Sequence, residues 1–290
     1  IAAFSFFLFL NMIIDQINWS VDKFILGRVS GTKAVAVYGV GAQINSLVMT
    51  FSTAISSVFA PRVNRIAAEN AKNRNKQFTV LFTKVGRIQY LILMLIVSGF
   101  VIFGKYFITD IYSTAEYSSA YPVALLLIIP AFIPLIQNLG IEIQRAVNKH
   151  QIRSVIYLVM AVLNIVISIP LAKSFGPVGS ALGTAIGLIL ANGIVMNIYY
   201  QKGIGMDMVF FWTNIFSLTK GMIIPGILGF FIIKAVVFDN IFSYIVAILI
   251  YTLFYCVSMW MLGMNSDEKN MVLQPIHKIK WKLRSQNDKN

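Results

Sequence analysis

Asn11-Met-Ile-Ile-Asp15-Gln-Ile-Asn18-Trp19-Ser-Val-Asp22-Lys23-Phe-Ile-Leu-Gly27 decides the reading of this chain. It sits in a segment, 1–26, that is otherwise as apolar as a membrane-spanning helix and about as long as one. At about 100° per residue, Asn11, Asp15, Asn18, Trp19 and Asp22 share one arc with Lys23 at its edge, while Ile13, Ile17 and Phe24 lie opposite. One face is polar and the other suits lipid. An aspartate near mid-bilayer costs roughly 2.5 to 3.5 kcal/mol on insertion scales, so such a residue faces a partner, a cavity or a transport path.

Composition extends that reading to the whole chain. Hydrophobic residues make up 58%, the mean hydropathy is +0.75, and apolar runs long enough to span a bilayer recur. The expected fold is an all-α polytopic membrane helix bundle of about eight transmembrane helices: 1–26, 34–60, 87–107, 121–145, 154–172, 177–200, 221–238 and 241–262. The first residue is Ile and no basic region precedes a short apolar one, so the expectation is a fragment without a signal peptide. Cys256 is the single cysteine, which excludes an internal disulfide and a thiolate metal cluster. His150 and His277 fall in basic segments read as solvated, so no metal site is expected.

The net charge of +13 raises nucleic acid as a partner, but the cations flank the apolar runs instead of clustering, which argues for no nucleic acid. Arg62, Arg65, Lys72, Arg74, Lys76, Lys84, Arg87, Arg145, Lys149, Arg153, Lys202, Lys220, Lys269, Lys278, Lys280, Lys282, Arg284 and Lys289, 18 in all, fall on one side. Lys23, Arg28, Lys33, Lys105, Lys173 and Lys234, 6 in all, fall on the other. The positive-inside rule puts the first side, and both ends of this chain, in the cytoplasm. The Arg62 to Lys84 stretch then reads as a basic, headgroup-contacting cytoplasmic loop.

Within the second span Gly39, Gln43, Ser46, Thr50, Thr53 and Ser57 recur at alternate spacings of four and three, drawing one small, polar stripe. That stripe is either a helix-packing face or a wet cavity wall. Pro122, Pro130 and Pro134 predict a broken fourth span, below which Asn138, Glu142 and Arg145 share a face. Glu142 and Arg145 read either as a self-neutralised pair or as part of a gate or phosphate site. Tyr157, Ala161, Asn164 and Ser168 repeat the stripe more weakly, and Gly179, Gly183, Gly187 and Ala191 form a small-residue ladder for close helix packing. Residues 202–220 read as an interfacial elbow anchored by Trp212. Residues 221–263 read as an appended apolar hairpin, and 264–290 as a basic cytoplasmic tail.

No Walker loop, dinucleotide turn, nucleophile elbow or zinc-binding histidine pair occurs, which argues against an enzyme and leaves no cofactor to expect. The intramembrane acids are Asp15, Asp22 and Glu142; any transport would draw on an ion gradient, the membrane potential or the substrate's own gradient, and in a cation-coupled exporter Asp15 and Asp22 would be the proton or sodium sites.

Ser5-Phe-Phe-Leu-Phe-Leu-Asn11, the quoted stretch from Asp15 to Gly27, Val29-Ser-Gly-Thr32 with Ala34-Val-Ala-Val-Tyr38, and Phe51-Ser-Thr-Ala-Ile-Ser-Ser-Val-Phe-Ala-Pro-Arg62 resemble bacterial polysaccharide-biosynthesis proteins. The resemblance is to Wzx-type lipid-linked oligosaccharide flippases of the multidrug/oligosaccharidyl-lipid/polysaccharide exporter superfamily. Ile133-Pro-Leu-Ile-Gln-Asn-Leu-Gly-Ile141 and Gly176-Pro-Val-Gly-Ser-Ala-Leu-Gly-Thr-Ala185 fit the same family. It implies two six-helix lobes that rock about a central polar cavity. Residues 1–201 would be the C-terminal lobe, with 202–220 a linker, and an N-terminal lobe would be a missing partner. The substrate implied is a lipid-linked glycan on undecaprenyl pyrophosphate, moved across the bacterial cytoplasmic membrane. Asn11, Asp15, Asn18, Asp22, Lys23, Gln43, Asn138, Glu142 and Arg145 are the candidate cavity residues. A cation-coupled small-molecule exporter and, from another class, a membrane polysaccharide polymerase are the alternatives.

Overall fold

The computed structural model describes residues 9, 20–69, 71–236, 238 and 240–274, and among them every regular element is helical. Asn11, Asp15, Asn18, His277 and most of the basic tail lie outside the described residues. Among the described residues five helices are long and apolar enough to cross a membrane, and the bent pair Ala120–Ile136 with Leu139–Ala146, taken as one span, makes six. The chain divides into two compact units, Ile1–Asn214 and Ile215–Asn290.

In the first unit the helices are α1 (20–29), α2 (Gly31–Val58), α3 (Ala60–Ala67), α4 (Ala71–Tyr106), α5 (Ala120–Ile136) and α6 (Leu139–Ala146). The helical run from His150 to Ile204 counts once by length, but Gly176 breaks it with φ 57° and ψ −133°. That left-handed backbone suits glycine, and Pro177 starts the second arm. The arms, 150–175 (α7) and 177–204 (α8), fold back on each other: a Cβ on Gly179 would fall on the Leu171 carbonyl, and one on Gly183 would lie 2.9 Å from Ser168 Cα. Asn164 Nδ2 donates to Thr184 Oγ1 at 3.4 Å and Tyr157 Oη to Asn192 Oδ1 at 2.6 Å, continuing the antiparallel register. The small-residue ladder is therefore the packing face of α8 on α7. Helices of this unit thus account for the spans expected at 34–60, 87–107, 121–145, 154–172 and 177–200, while most of 1–26 is outside the described residues.

The proline-broken α5 packs against α2, α4 and the α7–α8 pair. Pro130 and Pro134 lie inside it, and it bends by 43° into α6 at Gln137-Asn138. Ser52 Oγ donates to Leu135 O at 2.8 Å near this bend, so a neighbouring helix supplies a donor where the helix ladder is interrupted. Gly41 allows α2 its close approach, since a Cβ there would meet Ala124 N at 2.9 Å. Leu26, Tyr38, Ala42, Val123, Leu127, Ala172 and Ala181 form the apolar core where α1, α2, α5, α7 and α8 converge. The outward side of α7, Val155, Val159, Val162 and Val166, is exposed and branched, and its buried side carries Ser154, Ala161, Asn164 and Ser168. This inversion of the soluble pattern is what a lipid solvent selects.

Two segments differ from their expected form. The Arg62 to Lys84 stretch is not a loop: α3 and the first turns of α4 occupy it. Phe78, Leu81, Phe82 and Val85 recur at helical spacing and are buried, so packing fixes a helix where charge suggested a solvated loop. At about 1.5 Å per residue, the 36 residues of α4 reach about 54 Å, beyond a hydrocarbon core of about 30 Å. Residues 202–220 are helical from Met208, as α9 (Met208–Leu218), with Asp207 Oδ1 accepting from Phe210 N at 2.8 Å as its cap. Trp212 is half-buried and donates to Asn197 Oδ1 at 2.7 Å, so it is tied to α8. His150 is also unlike its expected solvated form, being 3% exposed beneath the turn that opens α7.

The second unit contains α10 (Ile223–Ala235) and α11 (Ile241–Ser258), joined as a hairpin. Asn240 caps α11 by accepting from Ser243 N at 2.8 Å, and Ser258 Oγ donates to Gly221 O at 2.7 Å. Phe242, Leu249, Leu253 and Phe254 are exposed on α11 while Tyr244, Tyr251 and Tyr255 are buried.

Candidate functional site

The first unit encloses a cavity of 290 Å³ bounded by α1, α2, α5, α6, α7 and α8. Asp22 and Thr184 line it, as do Arg153 and Tyr200. Thr184 and Tyr200 are 16 residues apart along α8, about 24 Å at about 1.5 Å per residue, so the cavity is long and narrow. Its polar lining includes Tyr38, Asn45, Thr53, Gln137, Asn138, Tyr157, Asn164 and Asn192, interleaved with Met49, Leu127, Ala131, Pro134 and Met160. Five amides along one cavity, four of them buried, is a dense concentration of groups that can both donate and accept.

Asp22 is 1% exposed and holds three helices together. Its Oδ2 accepts from Tyr38 Oη of α2 at 2.7 Å and from Thr184 Oγ1 of α8 at 2.8 Å, and its Oδ1 accepts from Ser180 Oγ of α8 at 2.7 Å. The partners of this buried acid are hydroxyls. Lys23, next in sequence, is exposed and points elsewhere on the same helix. Spacing predicts this, because successive helical residues diverge by about 100°.

Further along, Gln137 Nε2 donates to Asn197 Oδ1 at 3.0 Å, but its Oε1 accepts nothing among the described residues. The same holds for Asn45 Oδ1, and Asn45 and Gln137 are 3% and 2% exposed. Arg153 lies with its guanidinium 4.4 Å from the Tyr157 ring centroid, a cation–π contact at the end of the cavity away from Asp22.

The remaining expected site residues are dispersed. Asn138 lines the cavity and donates to Thr53 Oγ1 at 3.4 Å. Glu142 and Arg145 form a mutual ion pair at 3.0 Å, 28% and 48% exposed, and neither lines the cavity. Gln43 is exposed and accepts from Tyr112 Oη at 3.0 Å.

Most of the α2 stripe is exposed rather than packed among the described residues of this unit. Ser46, Thr50, Thr53 and Ser57 are exposed and, with Met49 and Ala54, line an open groove of 480 Å³. Met49 and Thr53 line both groove and cavity, so the two adjoin at Asn138. Thus α2 has three faces: Tyr38, Asn45 and Ser52 inward, Leu47, Phe51 and Val58 exposed and apolar, and the polar stripe between them. Sequence inspection missed Tyr38, Asn45, Arg153, Thr184 and Asn192 as parts of one site. The seven-residue step from Tyr38 to Asn45 and the four-residue step from Ser180 to Thr184 were the available signals.

Residues 1–122 match the profile of a family described as "Polysaccharide biosynthesis protein". That stretch contributes Asp22, Tyr38, Asn45, Met49 and Thr53 to the site. No curated protein and no solved structure matches the chain. The profile match and the run of apolar helices together fit a multi-pass membrane protein linked to polysaccharide synthesis.

Proposed function

We propose that the chain is the C-terminal lobe and appended hairpin of a flippase that moves an undecaprenyl-pyrophosphate-linked oligosaccharide from the cytoplasmic to the outer leaflet. It would do so by alternating access against an N-terminal lobe, without catalysing a reaction. The observation that carries this reading is the polar cavity adjoining an open polar groove on α2. Four of the five cavity amides are buried, and two of them, Asn45 and Gln137, keep oxygens that no described residue serves, more polar capacity than helix packing uses and what a glycan crossing the membrane needs in place of water. The exposed stripe suits a wall shared with a second lobe, because a groove of that polarity meets water or protein more favourably than acyl chains. The profile match to polysaccharide-biosynthesis proteins supports the substrate class.

The profile match supports the bacterial cytoplasmic membrane as the location, and the bias of cations toward the 62–84 and C-terminal sides supports both ends inside. Deleting the intact gene tests the reading. Prenyl-linked repeat units are expected to accumulate, accessible from the cytoplasmic side, with surface polysaccharide lost. Repeat units appearing normally on the outer leaflet, with only chain elongation failing, would show that the protein acts after translocation.

A second reading, cation-coupled export, is favoured by Asp22 alone, an intramembrane acid tying α1, α2 and α8. Imposed proton and sodium gradients applied to proteoliposomes separate coupled from uncoupled translocation.

A further inference from the structure

From the same cavity, and resting on the flippase reading, we infer that this lobe itself houses one uncharged sugar ring of the glycan, leaving the pyrophosphate to be held elsewhere. The cavity's unmet need is for hydrogen-bond donors. Asn45 Oδ1 and Gln137 Oε1 both line it, both belong to residues at least 97% buried, and neither accepts a hydrogen bond among the described residues. Sugar hydroxyls and an acetamido N–H are donors that satisfy such oxygens, whereas ionised phosphate oxygens only accept. Asp22 on the same wall disfavours a phosphate at its end of the cavity, and the cavity's cation, Arg153, stacks on Tyr157 at the other end, away from Asp22.

Other ligand classes fit less well. A cationic solute would look to Asp22, but both of its oxygens already accept from Tyr38, Ser180 and Thr184. An acyl chain would leave the two orphan oxygens buried without donors. A hexose occupies the space of roughly six water molecules, on the order of 180 Å³ at about 30 Å³ each. The cavity, 290 Å³, is larger than that, so a ring fits with space to spare. Tyr38 toward one end of the cavity and Tyr200 toward the other each offer aromatic surface of the kind on which the C–H face of a pyranose packs. The groove that shares Met49 and Thr53 with the cavity gives the ring a way in from the polar face of α2.

Cysteine protection tests this in the full chain reconstituted in vesicles. Cys256→Ser removes the native thiol, and Ala161→Cys, or Gly187→Cys as an independent second site, places a reporter on the cavity wall. A small, water-soluble methanethiosulfonate is the reagent. Glucose, galactose, N-acetylglucosamine and inorganic pyrophosphate are the protecting probes, each at millimolar concentration.

The expected result is modification that at least one of the three sugars slows several-fold and pyrophosphate leaves unchanged. Asn45→Leu with Gln137→Met should abolish the protection while the reporter still reacts. Modification that no sugar slows means the two oxygens are served by water alone and overturns the inference. So does protection by pyrophosphate, reaction only with a lipid-soluble maleimide, or no reaction at either reporter. If protection fails while gene deletion still traps prenyl-linked units on the inner side, the subsite falls and the flippase reading stands. If the trapped units fail to appear, the broader reading falls first.

Discussion

Removing the carboxyl of Asp22 should loosen the lobe by an amount set by its three hydrogen bonds. Asp22→Ala deletes both acceptor oxygens at a site that is 1% exposed, leaving Tyr38, Ser180 and Thr184 without their shared partner. Side-chain hydrogen bonds between membrane helices have been worth about 0.6 kcal/mol on average and up to about 1.7, so three give about 2 to 5 kcal/mol. Asp22→Asn keeps one acceptor for Ser180 and turns donors toward the other two hydroxyls, so roughly half of that loss is expected by the same scale. Tyr38→Phe, Ser180→Ala and Thr184→Val should each cost about 0.6 to 1.7 kcal/mol, and their combinations less than the sum, because they share one acceptor. Unfolding by dodecyl sulfate titration in mixed micelles reads these differences. An Asp22→Ala protein within about 0.5 kcal/mol of the parent would refute the reasoning, since that is the range of surface substitutions away from any such network. In cells, Asp22→Asn should lower transport while the protein still inserts and accumulates.

Gly183→Ala should destabilise by roughly 1 to 3 kcal/mol, the usual cost of overpacking, because its Cβ would stand 2.9 Å from Ser168 Cα, whereas Gly99→Ala, with nothing within 4 Å, should be neutral or slightly stabilising in the same titration. Lys33 pairs with Glu116 outside the membrane and holds its carboxyl below the usual carboxylate range. A depressed acid contributes above its unfolded pKa and loses that contribution as pH falls through its folded value, so the bridge acts at neutral pH and is lost in acid. Lys33→Gln should return Glu116 to ordinary titration, as followed by carbon NMR of the labelled carboxyl; an unmoved titration would show that Lys33 is not the cause. In a Cys256→Ser background, cysteines at Asn75 and Ser285 should resist an impermeant label in intact cells while one at Ser118 reacts, and the reverse pattern would invert the topology.

The spans were legible because lipid imposes a long, unbroken apolar run that few other environments demand. Asp22 was legible for the complementary reason, as an acid amid such a run. What helical spacing alone did not convey is which neighbour each polar face meets. Tyr38 and Asn45 look like incidental residues until α1, α5 and α8 close around them, and Arg153 counts as one more cytoplasmic charge until α7 is seen to bring it into the cavity. Gln43 illustrates the opposite error: its place in a polar stripe is real, but the stripe turns to the open groove and Gln43 bonds to Tyr112 instead. Charge misled at Arg62 to Lys84, where the interleaved Phe78, Leu81, Phe82 and Val85 already spelled a helix.

The glycine turn at 176 fixes more than a change of direction. Because α8 leaves it at once as helix, the angular position of every later residue is counted from that turn. One residue inserted there would rotate the whole of α8 by about 100° and advance it by about 1.5 Å. Ser180 and Thr184 would swing away from Asp22, and Asn192 from Tyr157, without any of them being altered. Four inserted residues, slightly more than one turn at about 100° each, would restore the direction of the same side chains to within about 40° but leave them about 6 Å along the axis from their partners. Length at this turn is thus a rotational setting for the buried acid: the chain can tolerate substitution in α8 more readily than a change in the count of residues before it.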